Sequence, residues 1–306
     1  MSSLPPSSPG PPPARPELPE GVWRPPVPPG RPPEPPAPST VGDALPRWPL
    51  WAPFAAMLGT LIVALVGVGV LALIAEAAGV DTDGDTPGIT IGGTYIQDLA
   101  LVGVAFLIAR RLDPPATAAK FGLRLPRGGL WRTVGWTGVA WAGFFAFSAI
   151  WAAALGITDN DDLPSELGVD DSTLALIAVA ILVCVAAPIA EELFFRGFCF
   201  TSFRRTLGTL PAAVLVGIIF GAIHLGGTDI EFIVPLMVFG LFLCLLYVWT
   251  DSLVPSIVLH ALNNALALGV SQDWGAWTVA AMAAAGLLSL LVVLPFARRG
   301  GTAVAA

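Results

Sequence analysis

At 306 residues, with 55% hydrophobic and 12% charged side chains and a mean hydropathy of +0.76, the chain is too apolar for a soluble domain. It reads as an all-α, polytopic integral membrane protein. The net charge of −7 comes mostly from acids in short loops, so it does not point to a basic partner, and nucleic acid is not indicated. Three cysteines, Cys184, Cys199 and Cys244, fall in apolar segments with neither disulfide-framework nor CxxC spacing, and read as small buried hydrophobes.

Met1 to about Arg47 is dominated by proline, in runs such as Pro11-Pro12-Pro13, and lacks aliphatic periodicity. Such a segment cannot bury enough surface to fold, and is expected to be a disordered or polyproline-type cytoplasmic tail. It has no apolar core of the kind a signal peptide needs, so the first hydrophobic span is expected to be retained. The plain reading is a solvated extension; the other is a ligand for a proline-binding partner.

Eight candidate spans follow, each near the roughly 20 residues that cross about 30 Å of hydrocarbon. They run approximately over Trp51–Ala75, Gly92–Ala109, Thr133–Leu155, Thr173–Phe203 with a break at Pro188, Leu210–Leu225, Phe232–Trp249, Leu253–Val270 and Trp277–Pro295. The predicted organisation is a tail over 1–47, N-terminal membrane helices over 48–172, a catalytic core over 173–270, and a last helix with its tail over 271–306. Arg47, the group Arg110, Arg111, Lys120, Arg124, Arg127 and Arg132, the pair Arg204 and Arg205, and the pair Arg298 and Arg299 all fall on one side of these spans. The other side carries Asp81, Asp83, Asp85, Asp159, Asp161, Asp162, Glu166, Asp170 and Asp171 without Lys or Arg. Because basic residues stay on the cytoplasmic side, both termini are predicted to be cytoplasmic.

Ionisable residues inside membrane segments lose hydration, and those that persist usually line a functional cavity. Here they are the chain's two histidines, His224 and His260, and the group Glu191, Glu192 and Arg196. Glu192 and Arg196 are four apart and share a helix face, which allows an ion pair and leaves Glu191 about 100° away. Glu191, poorly hydrated beside a like charge, suits a general base. Pro188 cannot donate to the carbonyl four residues before it and is expected to kink the helix beside the acids.

Phe220 and His224 are four apart, so the phenyl ring can hold the imidazole's direction. His260 and Asn264 repeat that spacing and offer two hydrogen-bond donors to a developing oxyanion, while Asn263 points elsewhere, toward a neighbouring helix. An antiparallel turn near Gly208 puts Glu191 and His224 at the same height. Counting from the cytoplasmic helix ends, however, puts His260 at about 10 Å depth and His224 at about 24 Å. Either the helices around Arg204 protrude, or Pro188 marks a re-entrant break.

The elements Glu191-Glu192-Leu193-Phe194-Phe195-Arg196, Phe220-Gly221-Ala222-Ile223-His224 and His260-Ala261-Leu262-Asn263-Asn264 resemble the EExxxR, FxxxH and HxxxN motifs of the CAAX-protease and bacteriocin-processing family of intramembrane proteases. The resemblance covers roughly Thr173 to Val270. It implies that Glu191 and His224 activate a water, that His260 and Asn264 form the oxyanion site, and that Arg196 orients the acidic pair Glu191 and Glu192. Members of the family are often labelled metalloproteases. If a metal were present, Glu191, His224 and His260 would be its ligands, as a three-ligand zinc site with an open position. A glutamate-activated water needs no metal, and the chain has no HExxH helix, so the expected reaction is cofactor-free peptide hydrolysis.

Two other readings are a non-catalytic scaffold or bacteriocin-immunity factor, as some family members resemble, and a proton-coupled transporter with an acid and histidine relay. No internal repeat of the transporter kind is found between the two halves. Lys120 is the single lysine among fifteen Lys and Arg residues, a bias that suggests a GC-rich, prokaryotic genome. The expected partners are therefore the lipid bilayer and a membrane-anchored peptide or protein substrate rather than a prenylated CAAX protein.

The charge asymmetry predicts that a cysteine placed at Arg127 is labelled only from the cytoplasmic side and one placed at Asp161 only from outside. The reverse labelling pattern in intact cells and inverted vesicles would contradict the orientation.

Overall fold

The computed structural model describes residues 45–80, 86–157, 169, 172–225 and 227–302. The proline-rich segment up to residue 44 lies outside this set. So do all nine loop acids, Asp81, Asp83, Asp85, Asp159, Asp161, Asp162, Glu166, Asp170 and Asp171.

Without water to satisfy their backbone groups, apolar segments must close their hydrogen bonds internally, and helices do this within one segment. The described regular structure is accordingly helical: α1 Ala52–Ala77, α2 Pro87–Leu112, α3 Gly129–Leu155, α4 Thr173–Leu207, α5 Thr209–Ala222, α6 Ile230–Thr250, α7 Val254–Ser271 and α8 Trp277–Thr302. Seven of them are long and apolar enough to cross a membrane. The exception is α5, predicted as a full span over Leu210–Leu225. Its 14 residues rise only about 21 Å. The reason is local: Gly208 starts the helix in a φ of 83°. At the far end the helix stops at Ala222, and His224 O accepts from the N–H groups of Gly227 and Thr228 at 3.2 and 3.1 Å.

The expected break at Pro188 is also absent. α4 runs through as 35 residues by widening its turns, with π-helical stretches over Leu182–Ala186 and Glu192–Phe200 on either side of the proline. In the wider register Ala187 N–H donates to Leu182 O. The carbonyl that Pro188 would serve in that register is Val183 O. It is satisfied from another helix, by Asn264 Nδ2 on α7 at 2.9 Å. A missing donor is thus absorbed by a π-turn and a cross-helix amide, without interrupting the helix.

The depth mismatch between the histidines resolves through the continuous helix. Gly197 on α4 packs against Leu253 at the start of α7 and against Phe121 O. Leu207 lies about 15 Å further along the same helix, so α4 and α5 project past the start of α7. Trp48 braces this level, with ring centroids 5.1 Å from Phe121 and 4.9 Å from Phe198. The α2–α3 connection is strapped to the α6–α7 turn. Arg124 Nε donates to Asp251 O at 2.7 Å, Arg127 pairs with Asp251 Oδ2 at 3.0 Å, and Leu253 N–H donates to Gly122 O at 2.9 Å. Gly122 is required there: it has a φ of 81°, and a Cβ would strike the Tyr247 ring.

Helix pairs in lipid gain from close backbone approach at small residues. α5 and α6 use it most fully. A Cβ at Gly217 would stand 2.6 Å from Met237 O and 3.0 Å from Leu241 N, and one at Gly240 would stand 3.0 Å from Gly217 Cα. The opposite surfaces, such as Leu58, Leu61, Leu65 and Leu73 of α1, are exposed and apolar, as a lipid-facing side requires.

Gly217→Ala should therefore destabilise the purified protein by about 1–3 kcal/mol, because the obstructing atoms are backbone and cannot swing away. Gly135→Ala, where nothing lies within 4 Å of the new Cβ, should be neutral. Thermal unfolding in detergent checks both, and equal melting temperatures for the two variants would contradict the packing.

Candidate active site

The π-helical segment of α4 buries Glu192 and Arg196 completely, at 0% exposure each. Arg196 Nη1 stands 2.8 Å from Glu192 Oε1, Nη2 donates to Gly240 O of α6 at 3.1 Å, and the guanidinium carbon lies 4.4 Å from the centre of the Phe220 ring on α5. One cation thus ties three helices. Glu192 Oε1 also takes His260 Nδ1 of α7, at 3.0 Å. Since the carboxylate can only accept, Nδ1 carries the hydrogen and Nε2 is the nitrogen left for chemistry. Phe220 and Phe239 hold the imidazole edge-on, with centroids at 5.7 and 5.5 Å.

Glu191, offset from Glu192 by about 100° around the helix, approaches the cavity side of the same imidazole. Its Oε2 lies 3.8 Å from His260 Nε2 and has no hydrogen-bond partner among the described residues. His224 sits just past the end of α5. Its ring packs on Phe220 at 5.1 Å, and Nδ1 donates to Phe220 O at 2.8 Å, which again leaves Nε2 as the unengaged nitrogen. The acid's nearest imidazole is that of His260, across the helix interface, rather than that of His224.

Asn264 spends one amide hydrogen on Val183 O and keeps a second. Asn263 bonds a different helix, accepting from Trp141 Nε1 of α3 at 3.3 Å. Glu191, His224, His260 and Asn264 all line one cavity of about 440 Å³, together with apolar side chains that include Phe144, Trp151, Phe232 and Phe239. Glu192 and Arg196 lie behind its wall. The cavity therefore presents a carboxylate, two imidazoles and the Asn264 carboxamide, beside Asn263 and the hydroxyls of Ser148, Thr228 and Ser271, to a largely apolar space. That is a set able to move a proton and to meet a developing negative charge. The zinc alternative needs Glu191, His224 and His260 to converge, and among the described residues no three His, Cys, Asp or Glu side chains stand at metal-ligating spacing.

Asp98 of α2 went unremarked in the sequence. It is 5% exposed, and its Oδ2 has no hydrogen-bond partner among the described residues. The signal was present, since an acid inside an apolar span is as unusual as the histidines. Ser148 and Thr228, which also line the cavity, carry no such signal, because hydroxyls are common in membrane helices.

With both partners fully buried, removing Arg196 strands a carboxylate. Arg196→Met should destabilise the protein by about 3–5 kcal/mol. Arg196→Lys, which keeps the charge but loses the second contact and the flat stack, should fall between it and wild type. Unfolding in detergent measures both, and a wild-type melting temperature for Arg196→Met would contradict the pair's structural role.

The family model Rce1-like, described as type II CAAX prenyl endopeptidase Rce1-like, matches residues 173–266, a segment that contains all six candidate residues. No curated protein and no solved structure matches the chain.

Proposed function

We propose that the chain is a CAAX-type intramembrane protease, a reading supported by the match of residues 173–266 to the type II CAAX prenyl endopeptidase family model, and that it hydrolyses a peptide bond of a membrane-anchored peptide or protein by a glutamate-activated water. The observation that carries this reading is the convergence of Glu191, His224, His260 and Asn264 from three segments on one cavity. A site for proton transfer and oxyanion binding needs such a set in a water-poor space.

In this reading Glu191, whose Oε2 is uncommitted, removes a proton from water as it attacks the scissile carbonyl. His224 offers Nε2 as an acceptor to the same water, its Nδ1–H being held by Phe220 O, and the proton that Glu191 has taken passes to the leaving amine as the C–N bond breaks. The tetrahedral oxyanion is met by the remaining amide hydrogen of Asn264 and by His260, which donates from Nε2 when protonated because Nδ1 is held by Glu192. Glu192 and Arg196 touch no substrate; they fix the tautomer and direction of His260 and the position of the helix that carries Glu191. Zinc has no step in this scheme. The apolar cavity wall suits a hydrophobic substrate segment, and the setting we propose is a prokaryotic cell membrane.

The test uses detergent-purified protein and, as probe, an internally quenched peptide anchored by an apolar membrane-spanning segment. Glu191→Gln should lower turnover by a factor on the order of 10²–10⁴ with folding retained. Asn264→Ala should lower kcat by about 10²–10³ with substrate binding little changed, because the lost bond strengthens only in the transition state. Chelator should leave wild-type activity intact. Normal turnover by Glu191→Gln would remove it as the base. One tightly bound zinc per chain, with activity tracking its occupancy, would replace the scheme with a metal-bound water.

A further inference from the structure

One face of α3 forms a wall of the cavity, with Phe144, Ser148 and Trp151 at helical spacing along it. Hydroxyls elsewhere on this helix are satisfied locally: Thr133 Oγ1 donates to Gly129 O and Thr137 Oγ1 to Thr133 O, both at 2.9 Å. Ser148 is different. Its Oγ is buried and has no hydrogen-bond partner among the described residues. In the turn after α5, Thr228 lines the same cavity, held by its N–H, which donates to His224 O at 3.1 Å. Its Oγ1 is likewise buried without a described partner.

An unpaired buried hydroxyl is costly, and two facing one cavity call for a ligand that supplies the missing bonds. A peptide substrate has the matching need. In extended form each residue brings an N–H and a C=O into a space walled largely by Phe144, Phe232, Leu236 and Phe239, where unpaired backbone groups are strongly disfavoured. A hydroxyl both donates and accepts, so it can serve either group without reading the side chain.

Resting on the protease reading above, we propose that Ser148 and Thr228 bind the main chain of the substrate peptide and hold it against the Glu191 and His224 side of the cavity. Ser148 lies outside residues 173–266, so substrate binding extends to α3, beyond the segment matched by the family model. The two hydroxyls set affinity and register and take no part in bond cleavage.

The probe is again the internally quenched peptide with its apolar membrane-spanning segment, with the full-length protein in detergent. Ser148→Ala and Thr228→Val should each raise KM about three- to tenfold, the effect of one lost neutral hydrogen bond, while kcat stays within about twofold. Thr228→Ser, which keeps the hydroxyl, should keep the wild-type KM. The same substitutions in a Glu191→Gln background should weaken equilibrium binding of the peptide, read by fluorescence anisotropy, by the same factors. Unchanged KM and Kd in both hydroxyl-free variants, or no binding of the peptide at all, would overturn the assignment. Binding that weakens as expected in a wild type that cleaves nothing would support these contacts and sink the protease reading instead.

Discussion

The buried ion pair of Glu192 and Arg196 is the constraint on which the rest of the site depends. Removing two charges from water costs several kcal/mol per ion, roughly, and their attraction offsets this only when the remaining hydrogen-bonding capacity is also used. Most of that capacity is used here. The guanidinium reaches the Gly240 carbonyl and lies over Phe220, and the carboxylate adds His260 Nδ1. Each added contact recruits another helix, so α4, α5, α6 and α7 are located relative to one another by a single cluster. The same bonds set the imidazole of His260 with Nε2 toward Glu191.

Two departures from regular helix make this arrangement fit. The π-helical turns of α4 change the register so that Glu192, Arg196 and the following residues all face inward, and Phe194 to Phe200 are buried without exception. The short α5 ends in a turn where His224 occurs, and its ring folds back onto the Phe220 carbonyl of its own helix. Irregular backbone in a membrane protein is tolerated where protein rather than lipid surrounds it. Asn264 illustrates the cost and its remedy, since one amide hydrogen serves the carbonyl that Pro188 leaves without a donor and the other remains for the cavity.

Helical periodicity made the within-helix relations legible. The four-residue spacing of Glu192 and Arg196, the outward offset of Glu191 and the stacking of Phe220 on His224 follow from 3.6 residues per turn and appear in the structure. What periodicity cannot give is the partner across an interface. It names a face, not what meets it, so the bond between Glu192 and His260, the proximity of Glu191 to His260, and the service of Asn264 to Val183 O were not visible. Hydropathy likewise marks apolar runs without seeing turns inside them, which is why Leu210–Leu225 read as a span while its last residues form a loop. Pro188 read as a break because the wider turn that absorbs it has no sequence signature. Asp98 was legible by the same rule that singled out the histidines.

The central claim is that this constellation cuts peptide bonds in a membrane and that Glu191 is the group that makes it do so. The most direct measurement compares the peptide termini present in membranes of cells producing the wild-type chain with those in cells producing Glu191→Gln at equal abundance. The account predicts membrane-protein termini that appear only with the wild type and lie within or beside apolar segments. Identical sets of termini from the two strains would contradict it.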